Sequence, residues 1–315
     1  MPWLIVAILS YFLFAITFLM DKYLLVKKIL NPKIYVSYVC ILNLLVLIII
    51  PFVGFYLPEI KIIAFSFLIG AVFFFALFWF FKALGLFEAS RVVPTVGGVS
   101  PIFSLILIYL FSIGKEKLTL LEFLAFILLI LGSVLITYDR TKRVSFQIFK
   151  LSLLSALLFS LYFVLLKYVY LFLPFWQGLI WTRIGTALTA FIFLLSFSET
   201  RQEFFGKRFA SLGVRPLMKI VFTKTTPFLF ILTRIIAGTA GLLQTWAVFL
   251  APIAFLPIVN ALQGTQYVFL LFLASFISFK FPRILQEEIS RQTIFQKILS
   301  ILLIGMGLAI LAFFQ

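Results

Sequence analysis

"IYVSYVCILNLLVLIIIPFVGFY", residues 34–56, carries no charged side chain. A helix of about 20 residues crosses a hydrocarbon core of about 30 Å, so this stretch reads as a transmembrane span. It is apolar on every face and lacks the alternation of a barrel strand. The rest of the chain reads the same way. Of its 315 residues 64% are hydrophobic and only 11% charged, against about 25% charged in soluble domains. The expectation is an all-α integral membrane protein.

Charged and proline-rich gaps divide the chain into ten candidate spans, at residues 3–20, 34–56, 62–81, 92–113, 120–137, 151–173, 176–197, 226–249, 252–278 and 298–314. The first follows no basic segment and precedes no small-residue cleavage pattern, so it reads as a retained helix and not a signal peptide. The polar gap at 139–150 splits the spans into two sets of five, giving units at residues 1–145 and 146–315. "SYFLFAITFLMDKY" (10–23) aligns with "SALLFSLYFVLLKY" (155–168), setting Ser10 over Ser155 and Lys22 over Lys167. "KALGLFEASRVVP" (82–94) aligns with "WAVFLAPIAFLP" (246–257) after one gap. Each half ends in an acidic loop and an apolar helix with glycine, at Gly132 and at Gly305 and Gly307. Five spans is an odd number, so the two copies should cross the membrane in opposite senses, as an inverted repeat.

Charge supports that count. Loops after the odd-numbered spans hold 20 of the 26 Lys and Arg residues, and the alternate loops hold Lys61, Lys115 and Lys117. The positive-inside rule puts the odd loops in the cytoplasm and both termini outside. The net charge of +16 therefore reflects topology and contact with anionic lipid, not nucleic-acid binding.

Residues 82–136 resemble the repeat of EamA-type carriers of the drug/metabolite transporter superfamily. They show an Ala-containing helix end, a helix of small residues and prolines, the loop "GKEKLT" and a closing helix with Gly132. Lys22 and Lys167 stand where that family tends to place a lysine at the end of the first helix of each half. The resemblance implies a ten-helix carrier fold and termini in the cytoplasm, opposite to the orientation from charge. The second half departs from the loop pattern with "FKFPRILQEEISRQTIFQK".

Two interrupted spans occupy corresponding places. The fourth carries Pro94, Gly97, Gly98 and Pro101; the ninth carries Pro252, Pro257, Asn260, Gln263, Gly264 and Gln266. Proline frees a backbone carbonyl, which survives in lipid only when packed in protein or lining a wet cavity. Such a pair in inverted halves points to a midplane binding site, although small residues also serve close helix packing. Asn260, Gln263 and Gln266 are spaced three apart and so share a helix face. Lys167, Arg183 and Arg234 are intramembrane cations and candidates for contact with an anionic group. Snorkelling or structural pairing is the reading favoured for Lys167 and Arg183, and less so for Arg234: Arg183 lies only about 10 Å from a span start at residue 176. Gln244, Trp246 and Trp79 are further candidates for a cavity wall.

All ten acidic residues lie in loops or at span ends, which disfavours a proton-coupled exporter of cations. Basic and amide donors without an acid suit an amino acid, an organic acid or another anionic or zwitterionic solute. The expected function is secondary transport of a small-molecule substrate by alternating access, with membrane lipids as the other partners and no cofactor. A lipid-linked sugar flippase and a non-transporting scaffold are the alternatives. An intramembrane enzyme is the weakest reading: there is no histidine, the one cysteine is flanked by apolar residues, and no group suits catalysis or metal ligation.

Overall fold

The structure, a computed structural model, describes residues 2–25, 32–86, 89–111, 118–137, 146–196, 226–280 and 291–313. The polar gap at 198–224 and most of that at 139–150 lie outside the described residues. Among those described, every element is helical. In chain order they are α1 (Pro2–Leu25), α2 (Pro32–Leu42), α3 (Ile60–Leu86), α4 (Ala89–Phe111), α5 (Leu120–Thr137), α6 (Phe146–Phe172), α7 (Phe175–Ser196), α8 (Thr226–Leu250), α9 (Leu256–Ala261), α10 (Gln263–Lys280) and α11 (Arg291–Phe313). Six stretches are long and apolar enough to cross a membrane, and four shorter apolar helices, Pro2–Phe18, Thr95–Phe111, Leu120–Leu135 and Ile298–Leu311, fall on the remaining expected ranges. Large apolar side chains such as Phe52, Ile60, Leu120 and Phe313 are more than 80% exposed, a surface that only lipid would solvate well. The chain is an all-helical, multi-pass integral membrane protein.

Local chemistry explains the irregular elements. After α2 the chain tightens into a 3₁₀ helix at Asn43–Ile49 and ends with one turn, Ile50–Val53. Three residues per turn line up Leu42, Leu45 and Ile48, all exposed, as one lipid-facing stripe. Gly54 stops the rod with φ of 75°, a conformation that costs glycine little. At the start of α5, Thr119 and Glu122 form a capping box: the Thr119 N–H donates to Glu122 Oε2 at 2.7 Å, and the Glu122 N–H to Thr119 Oγ1 at 3.4 Å.

Helix pairing sets the architecture. α1 packs along α8 and α10, while α6 packs along α3 and α4; α5 pairs with α11, and α2 with α7. Glycine makes the closest crossings possible. A Cβ on Gly70 of α3 would stand 2.6 Å from the Gly185 carbonyl carbon of α7, and one on Gly185 would stand 2.6 Å from Phe67 Cα. Gly132 and Gly307 similarly face Ile304 and Leu129 where α5 meets α11, whereas Gly305 has open space beside it. The stretches Lys150–Phe172, Phe175–Ser196 and Ile253–Leu270 are 56%, 56% and 61% buried and Val36–Val53 only 17%. The bundle centre is therefore built from α6, α7, α9 and α10, and α2 lies at its edge.

Candidate functional site

The two interrupted spans behave differently. Pro94 and Pro101 sit inside one continuous helix, α4. Pro257 instead occupies the first turn of α9, where a missing N–H is harmless. The real break is at Leu262, between α9 and α10. There the Leu262 carbonyl accepts from the Thr265 N–H at 2.9 Å and from Thr265 Oγ1 at 2.7 Å.

A buried polar seam converges on this break. Tyr11 of α1 donates its hydroxyl to the Val259 carbonyl of α9 at 2.9 Å, and the Gln244 side-chain amide of α8 donates to the Tyr11 oxygen at 3.4 Å. Asn260 donates to Ser104 Oγ of α4 at 2.5 Å. Across from them the Tyr267 hydroxyl and the Gln263 amide crowd Gly97: a Cβ there would meet the Tyr267 oxygen and lie 3.0 Å from Gln263 Cδ. Pro101 has no N–H, so the Gly97 carbonyl lacks its donor one turn on. The missing side chain at Gly97 lets the polar groups of α10 reach this weakened stretch of α4. Gln266 is buried on the same helix, and Gly264 packs on Ser133 of α5. Gly98 faces away, and a Cβ on it would stand 3.0 Å from Val134 Cγ2; its smallness serves packing.

The three intramembrane cations part company. Lys167 is buried and its ammonium donates to the Phe249 carbonyl at 2.6 Å. That carbonyl belongs to the last turn of α8, where a cation is favourable to the helix dipole. Arg183 places its guanidinium 5.0 Å from the centre of the Phe73 ring, and Phe73 lies at the middle of α3, so the side chain points into the bundle and does not snorkel toward the start of α7. Arg234 is half-buried on α8, nearer the start of that helix.

The tryptophans lie away from the seam. Trp246 packs on Phe175 and Trp176, with centroids 4.8 and 5.9 Å apart. Trp79 lies toward the end of α3 with the Lys82 ammonium 4.6 Å above it. Sequence reasoning missed four tyrosines, Tyr11, Tyr162, Tyr170 and Tyr267, all buried. Their signal was position: Tyr11, Tyr162 and Tyr267 fall well inside spans, away from the interfacial belt where tyrosine is usual, whereas Tyr170 stands near the end of α6 and gave no such signal. At one end of the bundle, Gln177 of α7 donates to the Gly54 carbonyl at 2.9 Å and accepts from the Tyr56 N–H at 3.3 Å, and the Trp181 indole donates to the Tyr56 carbonyl at 3.1 Å.

A helical bundle with mid-membrane polar groups and an interrupted helix defines the class, a membrane protein built around an internal polar path. Residues 1–138 match the EamA-like transporter family, so the first half of the chain carries the signature of a membrane transporter of the drug/metabolite type. No curated protein matches the chain. One solved structure, described only as "Crystal structure of protein", is 13% identical, with a TM-score of 0.63 over 97% of this chain and 93% of its own. At that identity the likeness concerns the fold alone.

Proposed function

We propose that the chain is a secondary transporter in which two inverted five-helix repeats, residues 1–145 and 146–315, alternately expose a central site for a small anionic or zwitterionic metabolite. The carrying observation is the seam at the α9–α10 break, to which both halves contribute: Tyr11, Gly97 and Ser104 from one, Gln244, Asn260, Gln263 and Tyr267 from the other. A site shared between two moving units is what alternating access requires. Helix pairing supports the repeat, because exchanging halves turns the α1–α8 contact into α6–α3 and the α1–α10 contact into α6–α4. Asn260, Gln263, Gln266 and Gln244 supply neutral donors and acceptors, and the intramembrane cations supply the charge complement.

The flippase reading fits less well. The pocket beside α4 and α5 is lined by Leu105, Ile108, Leu118, Phe123 and Ala254, with Tyr109 its polar contribution, a poor match to a sugar headgroup. Counterflow in proteoliposomes with labelled amino acids and organic acids tests the transport reading. Uptake that falls at least tenfold in Gln263→Ala and Gln244→Ala supports it; uptake of labelled solutes indifferent to both substitutions overturns the assignment of the seam.

A further inference from the structure

Resting on the reading of two inverted repeats, the halves correspond helix by helix. Their exchange turns α2 into α7 and α7 into α2, so this packed pair maps onto itself. The third helix of each half, α3 or α8, should then meet the pair alike. Ser10 and Ser155 fix the register between those third helices, because they donate to the Ala240 carbonyl of α8 and the Ala76 carbonyl of α3. Gly238 therefore stands over Phe74, Thr239 over Phe75 and Gly241 over Leu77.

The two faces are not treated alike. On α3, Phe74 is fully buried in a cluster with Val36 and Cys40 of α2 and Ala190 of α7, with Leu77 packed against it. The Phe74 and Phe193 rings stand 5.0 Å apart, and α3 packs along both α7 and α2. On α8 the same positions are bare. A Cβ on Gly238 or Gly241 would meet nothing within 4 Å, and Ile235 beside them is 60% exposed. Among the described residues α8 meets α7 near its end, where Trp246 packs on Phe175 and Trp176. That contact lies about 12 Å along the helix from Gly238. The two helices touch at one end and stand apart over the stretch that is covered on α3.

We propose that the α2–α7 pair is a rocking element, seated on α3 in this structure and swinging about the Trp246 contact to seat on Gly238 and Gly241 of α8 in a second conformation. A pair that exchanges with itself has equivalent seats on both sides, and here it fills one. The empty seat is built of glycine, which weakens a helix but lets backbones approach closely in a membrane. The filled seat has the same device in Gly70 against Gly185. A face meant only for lipid needs no glycine: the stripe of Leu42, Leu45 and Ile48 is bulky and exposed. The swing that covers α8 bares Phe74, so one side closes as the other opens, and packed interfaces of this kind hold either arrangement and not a blend.

The test is pulsed electron-spin distance measurement on the full-length protein in lipid nanodiscs, with Cys40→Ala as background. Thr239→Cys with Ile192→Cys spans the open side between α8 and α7, and Phe75→Cys with Ile192→Cys spans the packed side between α3 and α7. All three label positions are exposed. The expected result is two populations at each pair, the shorter α8–α7 distance matching the longer α3–α7 distance in proportion. Gly238→Trp, which fills the empty seat, should abolish the shorter α8–α7 population and lower counterflow at least tenfold at an unchanged melting temperature. Thr239→Trp, which stands off the seat, should keep counterflow within about twofold. The proposal is overturned by a single population at either pair, by populations that do not change together, by a shorter population that survives Gly238→Trp, or by an equal loss in Thr239→Trp. Counterflow without a second population removes the rocking element and leaves transport standing; a second population without counterflow does the reverse.

Discussion

Ser10 and Ser155, which align when the two halves of the chain are set in register, make the same bond. Ser10 Oγ of α1 donates to the Ala240 carbonyl of α8 at 2.8 Å, and Ser155 Oγ of α6 donates to the Ala76 carbonyl of α3 at 3.1 Å. Both serines are fully buried. The small hydroxyl allows close approach and ties the first helix of each half to the third helix of the other. Interhelical hydrogen bonds in membranes contribute about 0.6 kcal/mol on average. We predict that Ser10→Ala and Ser155→Ala each lower stability by about 0.5–1.5 kcal/mol and by similar amounts, measured by unfolding in mixed micelles. A large loss at one serine and none at the other would count against the repeat.

Gly97 and Gly98 are neighbours with different duties, and alanine should separate them. At Gly97 the added carbon meets the Tyr267 oxygen and Gln263; at Gly98 it meets one methyl of Val134 at 3.0 Å. We predict that Gly97→Ala reduces transport at least tenfold with the protein still folded, by displacing the polar groups of α10. Gly98→Ala should keep transport within about twofold, with a stability change at the low end of the roughly 1–3 kcal/mol typical of overpacking. Equal transport losses in both variants would remove Gly97 from the site.

The α3–α7 crossing should tolerate no side chain at all. At Gly70 the added carbon meets backbone atoms of Gly185, Thr182 and Thr186, which cannot rotate away as a side chain would. We predict that Gly70→Ala and Gly185→Ala cost at least about 2–3 kcal/mol, read as a loss of folded protein by size-exclusion chromatography after heating. Gly305→Ala and Gly241→Ala, with open space at the corresponding positions, should stay near the parent. A Gly70→Ala protein as stable as Gly305→Ala would mean that the helices do not cross there.

The fold was legible because lipid imposes it: with no water in the core, each long apolar run must close its own hydrogen bonds as a helix. Ser10 over Ser155 was legible too, since the aligned segments 10–23 and 155–168 set them in register. The crossing of Gly70 and Gly185 was not, because residues far apart in the chain meet through tertiary packing and leave no local pattern. For Arg183 depth could be read from position in the span, but direction could not; whether a long side chain reaches the interface or the interior is decided by what stands beside it, here Phe73. The tyrosines of the seam were obscured by their surroundings. In a chain with 43 phenylalanines, one more ring in a span carries little signal until its hydroxyl is seen against Val259 or Gly97.

One end of the bundle is closed, and the closure has a latch that can be tested. The Gln177 amide bonds to the backbone of Gly54 and Tyr56, the Trp181 indole bonds to the Tyr56 carbonyl, and the Phe55 ring lies 5.4 Å from that indole. Beside this latch Tyr170, Phe175, Trp246 and Phe249 pack ring to ring, and Lys167 ties α6 to the end of α8. Together these groups pin the α2–α3 connection onto α7 and seal the ends of α6 and α8. Alternating access requires that seal to open. Cys40, the chain's single cysteine, lies fully buried in α2 against Phe74 and Ala190, well before the latch in the same segment, so it reports an opening that spreads from the latch along α2, without any other thiol in the background. We predict that Cys40 in the parent reacts with N-ethylmaleimide only slowly, and that Gln177→Ala combined with Trp181→Phe raises its labelling rate about tenfold at unchanged melting temperature. An unchanged labelling rate would show that these bonds hold the connection in place without controlling access; a raised rate with a lowered melting temperature would mean general loosening and would equally count against a latch.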